Sequence, residues 1–236
     1  MEKQHLTNII TLSGKIAITP TLKVSRAGQT YYSATITPRR ESGTEDIIPL
    51  VIPEALLSHI NSQQFKDPTH AHVTGKICAI YNRDGARHNK LRMYVKATAV
   101  LLSTATSNEN DINELTLDTT LVKPVQLRHT PLGRLIGDSM VRITAAATAP
   151  IIVWNKTAEA MAYVQTPSRI TVKGRLQSRL FTCLDENNNQ VTHTALEMSV
   201  IKFEVRNNID DIDAALPTDI ESIDLDEHLD STEVSQ

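Results

Sequence analysis

A five-residue pattern is written twice in this chain. Val73-Thr74-Gly75-Lys76-Ile77 returns in the second half as Val172-Lys173-Gly174-Arg175-Leu176. Each copy alternates apolar and polar residues around a glycine, the period of a half-buried strand rather than of a helix. An internal repeat of this kind indicates one β-rich module present twice.

The first module is expected over residues 8–102. Ile10-Thr11-Leu12-Ser13-Gly14-Lys15-Ile16 alternates as a strand should, and its Gly14 suggests a bend that curls a sheet. Arg26 to Gln29 reads as a turn. Tyr32 to Thr37 and Asp46 to Ile52 read as the next two strands, with Pro49 pointing to a strand edge. Pro53 is pre-set for a first helical turn and predicts a short helix to Asn61. Ala71 to Ile80 and Leu91 to Val100 complete the set, joined by a hairpin at Asp84-Gly85.

Five strands with a helix between the third and fourth is the order of an OB-fold, a small Greek-key barrel. The second module, residues 114–206, repeats it. Strands are expected near Thr116–Val122, Ser139–Thr144, Ile151–Trp154, Ile170–Leu176 and Ala195–Val205. Asn155 is expected to cap a helix through Tyr163. The polar stretch 103–113 reads as a linker. The expected fold class is therefore all-β with short helices: two tandem OB-folds followed by a disordered acidic tail.

Charge is segregated along the chain. All 24 Lys and Arg lie at or before Arg206, whereas ten of the 27 acids follow Asn208. A formal net charge of −3 therefore hides a basic body and an acidic arm at residues 207–236. That arm, without Lys, Arg or aromatic residues, cannot bury enough surface to fold. It reads either as a solubilising tail or as a functional arm. Cys78 and Cys183 have no paired-cysteine spacing and are expected to be reduced core thiols. No leader-like or membrane-spanning run is seen, so a cytoplasmic protein, associated with the nucleoid, is expected.

Three segments of the second module resemble bacterial-type single-stranded DNA-binding proteins. They are Gln126-Leu127-Arg128-His129-Thr130-Pro131-Leu132-Gly133, Ile152 to Glu159, and Val172-Lys173-Gly174-Arg175-Leu176-Gln177-Ser178-Arg179. The first module is more divergent but keeps Leu12 to Ile16, the turn at Gly28 and Val73 to Ile77. The resemblance implies sequence-nonspecific binding of single strands and no catalytic activity. It also implies stacking positions at Trp154 and Phe181, and a dimer of this chain that would assemble four OB-folds. Family tails end in Pro-Phe, which docks replication and repair partners. This one is acidic but ends Ser231-Thr232-Glu233-Val234-Ser235-Gln236.

The residues themselves point the same way. An exposed aromatic on a strand stacks any base, and neighbouring cations neutralise phosphates. Trp154 suits either a partly buried core or a stacking platform beside Lys156. Phe181 precedes a polar hairpin, where a binding role is favoured. Phosphate contacts in the second module are assigned to Arg128, Arg134, Lys156, Lys173, Arg175 and Arg179. On a regular strand Lys173, Arg175 and Arg179 share one face. In the first module the candidates are Tyr81, Lys76, Arg83, Arg87, Lys90 and Arg92. Most lie in a hairpin that is either a phosphate-tracking finger or a solvated loop. No nucleotide-binding loop, nucleophile elbow or zinc-protease motif is present, and no metal or other cofactor is expected. His70 and His72 share a strand face without a third ligand at suitable spacing.

The leading expectation is a tandem OB-fold protein that protects single-stranded DNA in replication, recombination or repair. The alternative is an interaction protein of a replication-restart or mobile-element complex with little DNA binding of its own. RNA would use the same surface.

Overall fold

The two modules are joined by a motif that sits at the start of each. The computed structural model describes residues 6–25, 27–58, 69–83, 89–103, 111–184 and 190–206. Asn8-Ile9-Ile10-Thr11-Leu12 begins β1 (Asn8–Val24), and Asn113-Glu114-Leu115-Thr116-Leu117 begins β6 (Asn113–Leu121). These strands pair antiparallel, with Ile10 opposite Leu115, Asn8 opposite Leu117 and Leu12 opposite Asn113. Each residue of one motif thus faces its counterpart reversed, which gives the seam a local two-fold relation.

The side chains repeat this relation. Asn8 Nδ2 donates to the Ile77 carbonyl at 3.0 Å while its Oδ1 accepts the Ile77 amide at 2.9 Å. Asn113 brackets Leu176 in the same way, at 2.6 and 3.0 Å. At one end Ser13 N donates to Ile112 O and Ser13 Oγ accepts the Ile112 amide. At the other, Asp118 N donates to Thr7 O and Asp118 Oδ2 accepts the Thr7 amide.

On either side of the seam stands a five-stranded barrel. The first contains β1, β2 (Thr30–Thr37), β3 (Ile48–Pro53), β4 (Thr69–Arg83) and β5 (Asn89–Ser103), and β2 pairs back onto β1 to close it. The second contains β6, β8 (Leu135–Arg142), β9 (Thr148–Trp154), β10 (Ser168–Leu184) and β11 (Gln190–Val205), closed by Leu121 opposite Val141. Both carry one parallel contact at the same place in the strand order, β3 with β5 and β9 with β11. These are two OB-folds in tandem, and their interiors form one continuous apolar cluster. Ile10 and Leu12 of β1, Val73 and Ile77 of β4, and Ile170, Val172 and Leu176 of β10 are all buried in it.

The repeated glycine has a structural cause. At Gly75 the β4–β5 ladder shifts register, and at Gly174 the β10–β11 ladder does the same. A Cβ on Gly75 would lie 2.6 Å from the Lys96 carbonyl oxygen, and one on Gly174 only 2.1 Å from that of Ser199. The bulges let the long hairpins bend around the barrels, and only glycine permits the backbone approach.

Several elements differ from expectation. Strands are longer, because hairpins extend beyond the barrels where hydrophobic alternation fades. β7 (Gln126–His129), an exposed hairpin partner of β8, has little apolar pattern to announce it. Pro53 closes β3 and is followed by a 3-10 turn, Glu54–Leu56, instead of opening an α-helix; residues 59–61 lie outside the described residues. In the second module α1 spans Asn155–Ala162, but Trp154 takes the cap position and Asn155 adopts φ +50° without a capping bond. Asparagine tolerates that left-handed conformation better than most residues. Pro49 faces β2 just before β3 begins its contact with β5 at Leu50, so no ladder bond to β5 is lost there. Cys78 packs outside the barrel core, against a separate cluster of Tyr31, Val51, Ile80 and Tyr94. Of the expected linker 103–113, Ser103 ends β5, Asn113 begins β6 and residues 104–110 lie outside the described residues, as do the hairpin tip 84–88 and the acidic tail 207–236.

Candidate nucleic-acid interface

Strand alternation places the cations of β10 outside the barrel. Ile170, Val172 and Leu176 point inward, so Lys173, Arg175 and Arg179 occupy the opposite face. Trp154 ends β9 beside them, partly exposed and absent from both apolar clusters. Trp154, Arg134 and Arg175 line one groove of about 930 Å³, together with Asn155, Thr157, Gln177 and Ser199.

The groove's other wall comes from the first module. Residues Pro38 to Ser42 and Asp46 line it, with Asp111 at the end of the intervening segment. Asp46 holds that wall in place. It is fully buried, accepts Arg40 Nε at 2.8 Å and Nη2 at 2.5 Å, and accepts the Ser178 amide of β10 at 2.7 Å. The Ile47 amide completes the connection by donating to Ser178 Oγ at 2.8 Å. Asp111 accepts the Arg39 amide at 2.8 Å and contacts His70 Nε2 at 2.9 Å.

The groove's cations are not equivalent. The hydrogen bonds to Asp46 hold Arg40 above the usual guanidinium range. Arg175 is shifted downward, first by burial and then by the nearby charge of Arg40. Its buried Nε has no hydrogen-bond partner. A buried donor without an acceptor is costly.

The other candidate residues are dispersed. Lys156 is exposed on α1, and Lys173 is exposed on β10. Arg128 forms an exposed fork with Asp138, at 2.5 and 3.3 Å, and that pairing pushes its pKa up. Arg179 Nε lies 3.7 Å from Glu197, whose other oxygen accepts Gln177 Nε2. In the first module Tyr81 is 40% exposed, and its hydroxyl reaches Thr148 Oγ1 of the second barrel at 3.2 Å. Lys76 is exposed and Arg92 partly so. Arg87 and the side chains of Arg83, Lys90 and Phe181 lie outside the described residues. Arg39 and Arg40 were missed from sequence. They belong to the groove only because the seam brings a first-module loop against β10.

The fold has counterparts among solved structures. The wild-type single-stranded DNA-binding protein from Thermus aquaticus superposes with a TM-score of 0.64 at 15% identity, covering 86% of this chain and 95% of that one. A deletion mutant of the same protein gives 0.63 at 15% identity, covering 87% and 97%. The chain shares its fold, two OB-folds in tandem, with that protein. No family pattern and no curated protein matches its sequence.

Within that tandem OB-fold the two barrels are not chemically alike. Leu50 opposite Val95 and Ile151 opposite Met198 mark equivalent points of the parallel contacts. Advancing equally along each strand puts Pro53 in the first barrel where Trp154 stands in the second. Advancing equally from the two bulge glycines puts Asn82 where Phe181 stands. The same count sets Lys76, Cys78 and Ile80 against Arg175, Gln177 and Arg179. Ile80 is buried with Tyr31, Val51 and Tyr94, so the first barrel's corresponding face is an apolar cluster rather than a polar groove.

Proposed function

We propose that this protein binds single-stranded DNA without sequence preference and protects it in replication, recombination or repair. The observation that carries this reading is the convergence of Trp154, Arg134 and Arg175 in one groove. An aromatic face stacks any base, and unpaired guanidinium groups meet the phosphates between them. The proteins of the same fold, described as single-stranded DNA-binding, support it. The second barrel supplies the stacking surface, with Phe181 as its further aromatic and Lys156, Lys173 and Arg179 as outlying phosphate contacts. Two copies of the chain would supply four OB-folds. The acidic tail would compete with DNA for the basic groove or recruit replication and repair proteins.

Titration of a labelled oligo(dT) at low and high salt, with duplex DNA as competitor and Trp154 fluorescence as second readout, tests this. Salt-sensitive, duplex-resistant binding with quenching is expected. Absence of binding at low salt would overturn it. A matched oligo(U) titration distinguishes DNA from RNA. A second reading, as an assembly protein with little DNA binding of its own, is favoured by Pro53 and Asn82 standing where the second barrel has its aromatics. Under that reading the oligo(dT) titration is flat.

A further inference from the structure

Three arginines border the groove without a salt bridge among the described residues. Arg175 stands on β10 with its buried Nε unsatisfied. Arg134 stands at the start of the β8 hairpin and Arg39 on the first-module loop, both exposed and both lining the groove. The acids nearby are largely engaged. Asp46 is taken up by Arg40 and the Ser178 amide, and Asp111 by His70 and the Arg39 amide. Glu41 is the remaining carboxylate on the lining, exposed at the loop's tip. The wall carrying Arg39 is held in place by bonds from the other barrel. It therefore stands ready without having to fold over a ligand, and less ordering entropy is lost on binding.

We propose that the groove is a phosphodiester site shared between the two barrels, in which Arg175 and Arg39 engage the same backbone phosphate of a strand whose base lies on Trp154. The inference rests on the single-strand reading above and goes beyond it. A strand leaving the second barrel crosses the loop of the first, so the first barrel contributes a cation and a wall rather than an aromatic platform. Arginine suits the position because its planar fork presents parallel donors to two phosphate oxygens. The phosphate would meet the part of the Arg175 guanidinium that lines the groove. It would also relieve the repulsion between Arg175 and Arg40.

The test is the salt dependence of oligo(dT) binding by the full chain, for wild type, Arg39→Gln, Arg175→Gln and the double variant. Each single variant is expected to weaken binding and to reduce the slope of log affinity against log salt by about 0.7, the value for one lost single-strand phosphate contact. Because both residues hold one phosphate, the double variant is expected to lose less than the two singles combined. Arg39→Lys should restore the slope but not the full affinity, since a point charge replaces the fork. Thermal unfolding of Arg39→Gln should match wild type, because its side chain is exposed and only its backbone amide is bonded. Binding by wild type with an unchanged Arg39→Gln would overturn the shared site and leave the DNA-binding function standing. Strict additivity of the two variants would overturn the single shared phosphate. A wild type that does not bind oligo(dT) removes both readings.

Discussion

Trp154 and Pro53 occupy the same place in two copies of one fold, and the difference sets what each barrel offers a nucleic acid. Indole presents a flat face to any base, while a proline ring offers little stacking surface. Replacing Trp154 with alanine is expected to weaken oligo(dT) binding by about 1–3 kcal/mol, the range for losing one base–aromatic stack. Pro53→Ala should leave it unchanged; both are read by anisotropy titration. Trp154 was legible because a lone tryptophan at a strand end beside a lysine stands out. Arg39 and Arg40 were not, since a loop arginine gains meaning only from what packs against it. Arg39 is bonded through its amide to the distant Asp111, and Arg40 to Asp46, which is held in turn by the distant Ser178. The reverse holds for Arg128. Its charge was visible, but its fork with Asp138 depends on the unforeseen hairpin of β7 and β8.

At the scale of elements, the bulge in each long hairpin is where sequence and structure meet, although the strands run further than expected. The glycine in each copy of the repeated pentapeptide marks the bulge that bends its hairpin, and spacing alone revealed the repeat. Gly174→Ala places a methyl group against the Ser199 carbonyl, where its nearest neighbours are all backbone atoms of Ser199 and Val200. Destabilisation of about 1–3 kcal/mol or more is expected in urea unfolding, as for overpacked sites generally. The loop carrying Asp46 behaves differently, because its stability is cross-barrel. Asp46→Ala leaves Arg40 and the Ser178 amide without their acceptor. A cost of about 1–3 kcal/mol is expected, as for a buried donor left without its acceptor, because Arg40 itself is partly exposed. The same chemical-unfolding measurement reads it, and a second, earlier transition would indicate that the groove wall detaches first. The helical elements were the least legible. Pro53 is compatible with both a strand end and a helix start, and its pairing with Tyr31 of β2 decides for the strand.

The whole molecule is organised by the seam between β1 and β6. Its two-fold relation went unread in the sequence because the identical residues of Asn8–Leu12 and Asn113–Leu117 are scattered and a strand does not announce its partner. The two ends of the seam are closed by different chemistry. A serine hydroxyl accepts the Ile112 amide at one end, and the carboxylate of Asp118 accepts the Thr7 amide at the other. Burial by itself would raise the Asp118 pKa, but hydrogen bonds from Thr171 and Thr7 and the charge of Arg206 outweigh it and bring it below the ordinary aspartate value. A carboxyl group with a depressed folded-state pKa stabilises the fold fully above its unfolded pKa, about 3.9 for aspartate. That contribution fades as pH falls through the lower folded value. Acid should therefore weaken this end of the seam. Urea midpoints measured from pH 7 down to pH 3 should fall more steeply for wild type than for Asp118→Asn, which cannot titrate. Asp118→Asn should already be the less stable protein at pH 7, so the two curves converge as pH falls. Parallel curves over that range would show that Asp118 does not carry the acid sensitivity of the joint between the barrels.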